Sequence, residues 1–286
     1  MTATIAGAST RPAASARLVQ LPWDLFAAIA ATAVFAVAAL WPALLATQGP
    51  FAMDLADTLA PPSSAHWFGT DESGRDLYSR VIYGTAASLG VGIGAALVSL
   101  TLAVILGSLA ALGNRPTRAA VGWLLEVAFA FPALLLSLLL IAVLGPSILT
   151  LILAVGVGTA PGYARMVRGQ ILSAQGAPYV EAAVALGHSG GRILRQHILP
   201  NSLRPLVAVF ALSIGQSIVW ASSLSFLGLG IAPPAPEWGA LLDAGRSYIT
   251  VAGWLTVIPG LVIVVLALTT TTLGRHLQSF LEKGEK

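Results

Sequence analysis

Six stretches of this chain, 24–46, 85–112, 119–144, 148–164, 202–228 and 251–273, are long and apolar enough to cross a lipid bilayer. A span needs about 20 mostly apolar residues. Hydrocarbon offers the backbone no partner, so such a segment closes its own hydrogen bonds as a helix or joins a closed barrel. The fold class this predicts is all-α: a polytopic membrane bundle of six transmembrane helices. Only 9% of the residues are charged, and mean hydropathy is +0.84, whereas soluble domains carry about 25% charged residues. There is no cysteine, which excludes disulfides, thiolate metal sites and cysteine nucleophiles. A signal peptide has an apolar core of only about 7–15 residues; the first run is longer, so it is read as a retained helix.

The segments between the runs set the orientation. Residues 1–23 form a basic tail rich in Ala, Ser, Thr and Pro, and 274–286 a second tail. The turns 113–118 and 145–147 are short, while 47–84, 165–201 and 229–250 are long loops. Six spans put both termini on one side. That side holds twelve of the 15 Lys and Arg residues: Arg11, Arg17, Arg115, Arg118, Arg165, Arg168, Arg192, Arg195, Arg204, Arg275, Lys283 and Lys286. Arg75, Arg80 and Arg246 fall on the other. Basic residues accumulate in cytoplasmic loops, so both termini and 165–201 are expected in the cytoplasm. The basic residues are scattered rather than clustered, which points to membrane orientation and not to nucleic acid.

The most informative loop segment runs from Pro178 to Pro200, PYVEAAVALGHSGGRILRQHILP. Pro178 suits a first helical position and Gly187 a stop, so Tyr179 to Leu186 is expected as a short helix. Ser189 is a candidate cap for a second helix through Arg192 and Arg195, ended by Pro200. The pattern Glu181-Ala182-Ala183, three residues, Gly187 and a closing Leu199-Pro200 resembles the EAA loop of ABC-type importer permeases. One departure stands out, because His197 occupies a position where the wider pattern has an apolar residue. The peptide branch of the family is similar in carrying the run His197-Ile198-Leu199-Pro200-Asn201.

Two further segments carry the same resemblance. Gly69-Thr70-Asp71-Glu72-Ser73-Gly74-Arg75-Asp76 is rich in carboxylates, yet it lacks the twelfth-position Glu and alternating oxygens of a calcium loop of the EF-hand type. It is similar to the GTDxxGRDxxSR signature of dipeptide, oligopeptide and nickel permeases, where it is a structural entry to the second helix; Gly69, Thr70, Asp71, Gly74, Arg75 and Asp76 take that role here. Ser225 to Gly230, then Pro233-Pro234-x-Pro236-x-Trp238-Gly239 and Gly245-Arg246-Ser247-Tyr248, also matches that branch. Proline and tryptophan there suit an ordered loop at the membrane interface.

Within the spans, Gly90 and Gly94 make a small-xxx-small face, with Ser99 and Gly107 further along. Glu126 lies about 10 Å into the third span, close enough to reach the cytoplasmic interface or to pair with Arg115 or Arg118. Ser213, Gln216 and Ser217 would be costly against lipid, so they either line a water-filled path or bond helix to helix, with Gln216 the foremost candidate for the path.

The resemblance implies one C-type permease subunit of a binding-protein-dependent type I importer, with its core at about 85–275. It implies a second homologous permease, different in sequence, two ATPase subunits or one fused ATPase, and an extracytoplasmic binding protein. ATP and Mg would sit on the ATPase, and this chain would bind no cofactor or metal. Tyr179, Glu181, Ala182, Ala183, Gly187, Arg192 and Pro200 would form the ATPase-coupling surface, with Ala182 and Ala183 setting the distance of approach. The cargo implied is a di- or oligopeptide, with nickel, a metal chelate or a glutathione-like solute as alternatives. No G-x-x-x-x-G-K-[ST] occurs, so the chain is not expected to be an enzyme. An ion-coupled secondary transporter is the rival class, but it should show a repeat or several deep charges, and only Glu126 qualifies. His66, His188, His197 and His276 fall in loops or at span ends, without metal-pair spacing.

Overall fold

A computed structural model describes residues 23–283 of the chain; the basic tail expected over 1–23 lies outside the described residues except for Trp23, as do 284–286. Every regular element among the described residues is a helix. They are α1 (Trp23–Leu40), α2 (Leu77–Leu112), α3 (Arg115–Ala130), α4 (Ala133–Leu144), α5 (Ile148–Gln175), α6 (Pro178–Ala185), α7 (Gly190–Ile193), α8 (Leu199–Leu203), α9 (Leu206–Leu224), α10 (Trp238–Arg246) and α11 (Trp254–Lys283). Short π-turns at Leu194–Ile198 and Ser225–Leu229 join α7 to α8 and extend α9. Five helical stretches are long and apolar enough to span a membrane, or six if the bent α3–α4 pair counts as one.

The helix bounds depart from the expected spans for local reasons. Asp76 caps α2, which begins eight residues before position 85, accepting from Ser79 N at 2.9 Å. The stretch 119–144 is two helices, bent by 93°. Pro132 supplies the break, because its ring drives Phe131 out of the helical region (φ −82°, ψ 135°). The helix expected over 148–164 runs on to Gln175. Arg165 and Arg168 ride on that extension, their apolar stems compatible with helix and their heads outward.

Helices α2 and α5 form the central pair, in contact through small residues. A Cβ on Gly107 would stand 2.7 Å from the Ala164 carbonyl oxygen, and one on Gly156 2.6 Å from Val98. Thr159 donates to Ser99 across the pair at 2.9 Å. Gly94 meets Ile152, but Gly90 faces open space. The contact stripe therefore runs through Gly94, Ala95, Val98, Ser99 and Gly107, not through Gly90, while Gly92 faces Ile218 of α9. On the other flank α9 packs on α11, where a Cβ on Gly215 would strike Thr270 Oγ1 at 2.3 Å.

The GTDESGRD segment closes the end of the bundle where α2 begins. Asp71 accepts from Ser73 N at 2.8 Å, Arg75 N at 3.0 Å and Arg75 Nε at 2.8 Å, and also from Arg80. Asp76 binds the Ser79 hydroxyl at 2.7 Å and His66 Nδ1 at 3.0 Å. Thr70 bonds the Asp57 carbonyl and receives Ala60 N at 2.8 Å. Gly74 has φ +70°, and a Cβ there would lie 1.7 Å from the Asp54 carbonyl oxygen. The residues assigned to this motif thus act together on one folded loop.

That loop is stitched to the segment before α10. Arg80 donates to the Pro234 carbonyl at 3.1 Å and Trp238 Nε1 to the Val81 carbonyl at 2.9 Å. Trp238 is fully buried in a cluster with Leu77, Ile218, Leu255 and Leu266, so the expected interfacial tryptophan is a core residue. Glu237, which the sequence reading passed over, caps α10 with 2.9 Å bonds from Gly239 N and Ala240 N while only 1% exposed. Burial pushes its carboxyl above the ordinary value, against the pull of those two amides.

Two outcomes follow from this end of the bundle. Asp71→Ala leaves two buried guanidinium groups without their shared carboxylate and should destabilise the chain by about 3–5 kcal/mol. Glu72→Gln, at a carboxylate whose side chain is 30% exposed, should cost less than about 1 kcal/mol. Thermal unfolding in detergent separates the two. Glu237 has a raised folded pKa, so its favourable contribution is present below the unfolded carboxylate pKa and is lost as pH rises toward the folded value. Glu237→Gln should flatten that part of the pH dependence of Tm.

Candidate functional site

The candidate coupling surface is built on α6, and its local sequence explains its shape. Pro178 occupies the first turn, where its missing N–H costs nothing. The helix ends in a Schellman motif: Gly187 N donates to the Val184 carbonyl at 2.9 Å and His188 N to the Ala183 carbonyl at 3.1 Å. Gly187 has φ +75° with open space around it, so its requirement for glycine comes from the backbone alone. The chain reverses there and starts α7, with Ser189 at the N-cap position but making no side-chain cap bond.

Pro200 does not end the second helix. The turn before it widens, with Leu199 N reaching the Leu194 carbonyl, and the helix continues through α8. A proline clashes with the carbonyl four residues back, and a π-turn relieves that clash. Asn201 Nδ2 and Ser202 Oγ then take up the His197 and Ile198 carbonyls at 2.8 and 2.7 Å. His197, the departure from the wider pattern, has a structural use. Its ring stacks on His188 at 6.1 Å with 17° between planes and meets Tyr179 at 6.4 Å, filling the angle between α6 and the following helix.

The expected surface residues divide by face. Glu181, Ala182, Gly187, Arg192 and Pro200 are exposed, and Tyr179 is 40% exposed. Ala183 is only 3% exposed and, with Val180, Ile193 and Ile198, belongs to one apolar cluster that also holds Ala110, Ala111, Val167 and Ile171 of α2 and α5, α6 itself lying against α7 and the π-turn that follows it. It therefore fastens the short helix to the bundle and does not set an approach distance for a partner. The apolar groups that do face outward are Val184, 60% exposed, and Leu186, 76% exposed. The sequence gives Val180 and Val184 identical character, and only the direction in which α6 packs separates them.

Glu126 is exposed on α3 and lines a cleft of about 270 Å³ with Arg165 and Arg168 of α5. Its basic neighbours are thus on the facing helix and not at Arg115 or Arg118. The three polar residues of the fifth span also separate. Ser213 and Ser217 are buried, Ser213 bonding its own helix at the Phe210 carbonyl (2.8 Å), so neither lines an open face. Gln216 is exposed and accepts a 2.6 Å hydrogen bond from the Tyr163 hydroxyl of α5. Tyr163 was not anticipated as its partner, since the two lie far apart in sequence.

The chain is similar in sequence and fold to known proteins. Residues 103–283 match the family described as "Binding-protein-dependent transport system inner membrane component". The probable D,D-dipeptide transport system permease protein DdpC of Escherichia coli (strain K12) is 38% identical over 83% of this chain and 80% of its own length. The glutathione transport system permease protein GsiD of Pectobacterium atrosepticum is 40% identical over 77% of this chain and 73% of its own. The dipeptide transport system permease protein DppC of Alkalihalophilus pseudofirmus is 35% identical over 88% and 83%. Among solved structures, a chain of an amino acid ABC transporter superposes with a TM-score of 0.59 at 17% identity, covering 70% of this chain and 93% of that one. A chain of the MetNI methionine ABC transporter in an inward-facing conformation gives 0.56 at 18%, covering 70% and 95%. The fold is that of type I ABC importer permeases, and the chain belongs to the family of inner membrane components of binding-protein-dependent transport systems.

Because Ala183 sits in the core, Ala183→Trp should overpack it and cost about 1–3 kcal/mol or more. Leu186→Asp, on the open side, should change stability by no more than about 0.5 kcal/mol. Thermal unfolding of the two variants in detergent should differ accordingly.

Proposed function

We propose that this chain is a permease subunit of an ATP-driven importer of di- or oligopeptides, working beside a second, homologous permease. Two ATPase subunits, or one fused ATPase, hold ATP and Mg, and an extracytoplasmic binding protein delivers the cargo. Both termini and the α6 loop lie in the cytoplasm, as the distribution of Lys and Arg supports. The observation that carries the reading is the α6 helix itself: capped at its C-terminus, tied through Val180 and Ala183 into one apolar cluster with residues of α2 and α5, and presenting Tyr179, Ala182, Val184 and Leu186 outward.

A helix held this way acts as a lever. The ATPase pair closes on ATP, carries α6 with it, and the cluster joining α6 to α2 and α5 passes the displacement into the bundle. Coupling requires contacts that differ between the two states; Glu181 and the apolar pair Val184 and Leu186 supply the groups for them. Gln216, on an open face, lines the route. Peptide cargo rests on the relatives named for dipeptides; a glutathione-like solute is the second reading, favoured by the relative named for glutathione.

The test is to purify the tagged chain from its native membrane in mild detergent and assay ATP hydrolysis with and without a peptide-loaded binding protein. A second multi-span subunit and an ATPase should co-purify, with hydrolysis rising severalfold on addition of the loaded protein. Leu186→Asp should retain the second permease and lose that stimulation. A chain recovered with neither partner overturns the reading.

A further inference from the structure

The Tyr163–Gln216 pair is out of place in an apolar bundle. Gln216 lies ten residues into α9 from Leu206, and Tyr163 lies twelve residues before the end of α5 at Gln175. At 1.5 Å per residue these are about 15 and 18 Å from the α6 end of the bundle, half-way along apolar helices. Yet Gln216 is exposed and the Tyr163 hydroxyl reaches it at 2.6 Å. A carboxamide at that depth is costly against lipid, so this face meets protein or water.

The unused hydrogen-bonding capacity of the pair points to a ligand class. The Tyr163 hydroxyl spends its one proton on Gln216 Oε1, which leaves a phenolic lone pair as acceptor and the Gln216 NH₂ with two donors. A donor and an acceptor side by side match the C=O and N–H of a peptide main chain, independently of cargo side chains. The Tyr163 ring meanwhile packs on the cluster that holds Val180 and Ala183 of α6. Resting on the peptide-import reading, we propose that Tyr163 and Gln216 form a contact for the cargo's main chain on the route through the membrane, seated on the same core as the coupling helix.

The test uses the whole reconstituted importer. Because the native chain has no cysteine, Gln216→Cys gives a single labelling site on this subunit, identified by mass spectrometry. A water-soluble methanethiosulfonate should modify it, and peptide delivered by the binding protein should protect it. Tyr163→Phe and Gln216→Leu should each lower kcat/KM for transport about fivefold, the effect of one neutral hydrogen bond, alike for dipeptides with apolar and polar side chains. An unreactive cysteine, or reactivity that cargo leaves unchanged, overturns the proposal. So do variants that move peptide at the wild-type rate, or that lose the partner subunits, which would mark the pair as a bond between helices. A wild-type complex that moves no peptide overturns the import reading and the ligand class together, whereas a peptide-moving wild type with unaffected variants overturns the pair alone.

Discussion

The contact between α2 and α5 is close enough for the backbone of one to touch side chains of the other, and the rest of the bundle is arranged around it. In a bilayer there is no hydrophobic gain from joining two apolar helices; van der Waals packing and the few polar bonds between them provide the attraction. Glycine and alanine on the shared stripe let the helices approach, and Thr159 with Ser99 adds a hydrogen bond. Helix α2, 36 residues and about 54 Å long, reaches both ends of the molecule. At one end the Asp71, Arg75 and Arg80 node fixes its first turn, and Trp238 is clamped onto it. At the other, Ala103, Ala110 and Ala111 with Val167 and Ile171 share one apolar cluster with Val180 and Ala183 of α6.

How much of this was legible in the sequence depended on whether a feature was set by the local chain. The α6 start at Pro178 and stop at Gly187 were readable because proline and a left-handed glycine act within a few residues. The all-α class and the folded loop around Asp71 were readable for the same kind of reason. The facing of side chains was not. Ala182 and Ala183 are the same residue in adjacent positions, and only the direction in which α6 packs makes one outward and the other core. Ser213 and Gln216 likewise lie on one apolar helix, and only the packing of that helix in the bundle decides which is buried. Pro200 misled because a helix can widen by one residue to pass a proline, and that choice is made by surrounding contacts.

The break at Phe131-Pro132 is a third case, where a local signal was present but outweighed. Hydropathy over 119–144 describes one span, and a proline inside a span often does no more than kink it. Here the chain turns through 93°, and Arg165 of α5 lies over the Phe129 ring at 3.9 Å from its centre. That contact, with the cleft shared by Glu126, Arg165 and Arg168, gives α3 a reason to lie across α5 instead of continuing the line of α4.

The lever role proposed for α6 asks for rigidity as well as for outward-facing groups. A short isolated helix is marginal, and a lever that frays dissipates the motion imposed on it. This one is held at three points by different physics: a Schellman cap at its C-terminus, His197 stacked on His188 and tilted against Tyr179 across the angle to the next helix, and Val180 and Ala183 in the core. His197 is intelligible only in that light, since an aliphatic residue would fill the space but would lack the flat faces that meet two other rings. The same core also seats the ring of Tyr163, whose hydroxyl reaches Gln216. If that core moves as one body, a displacement of α6 shifts the polar pair with it, and a ligand that holds the pair in one arrangement then biases the proposed lever by the same free energy.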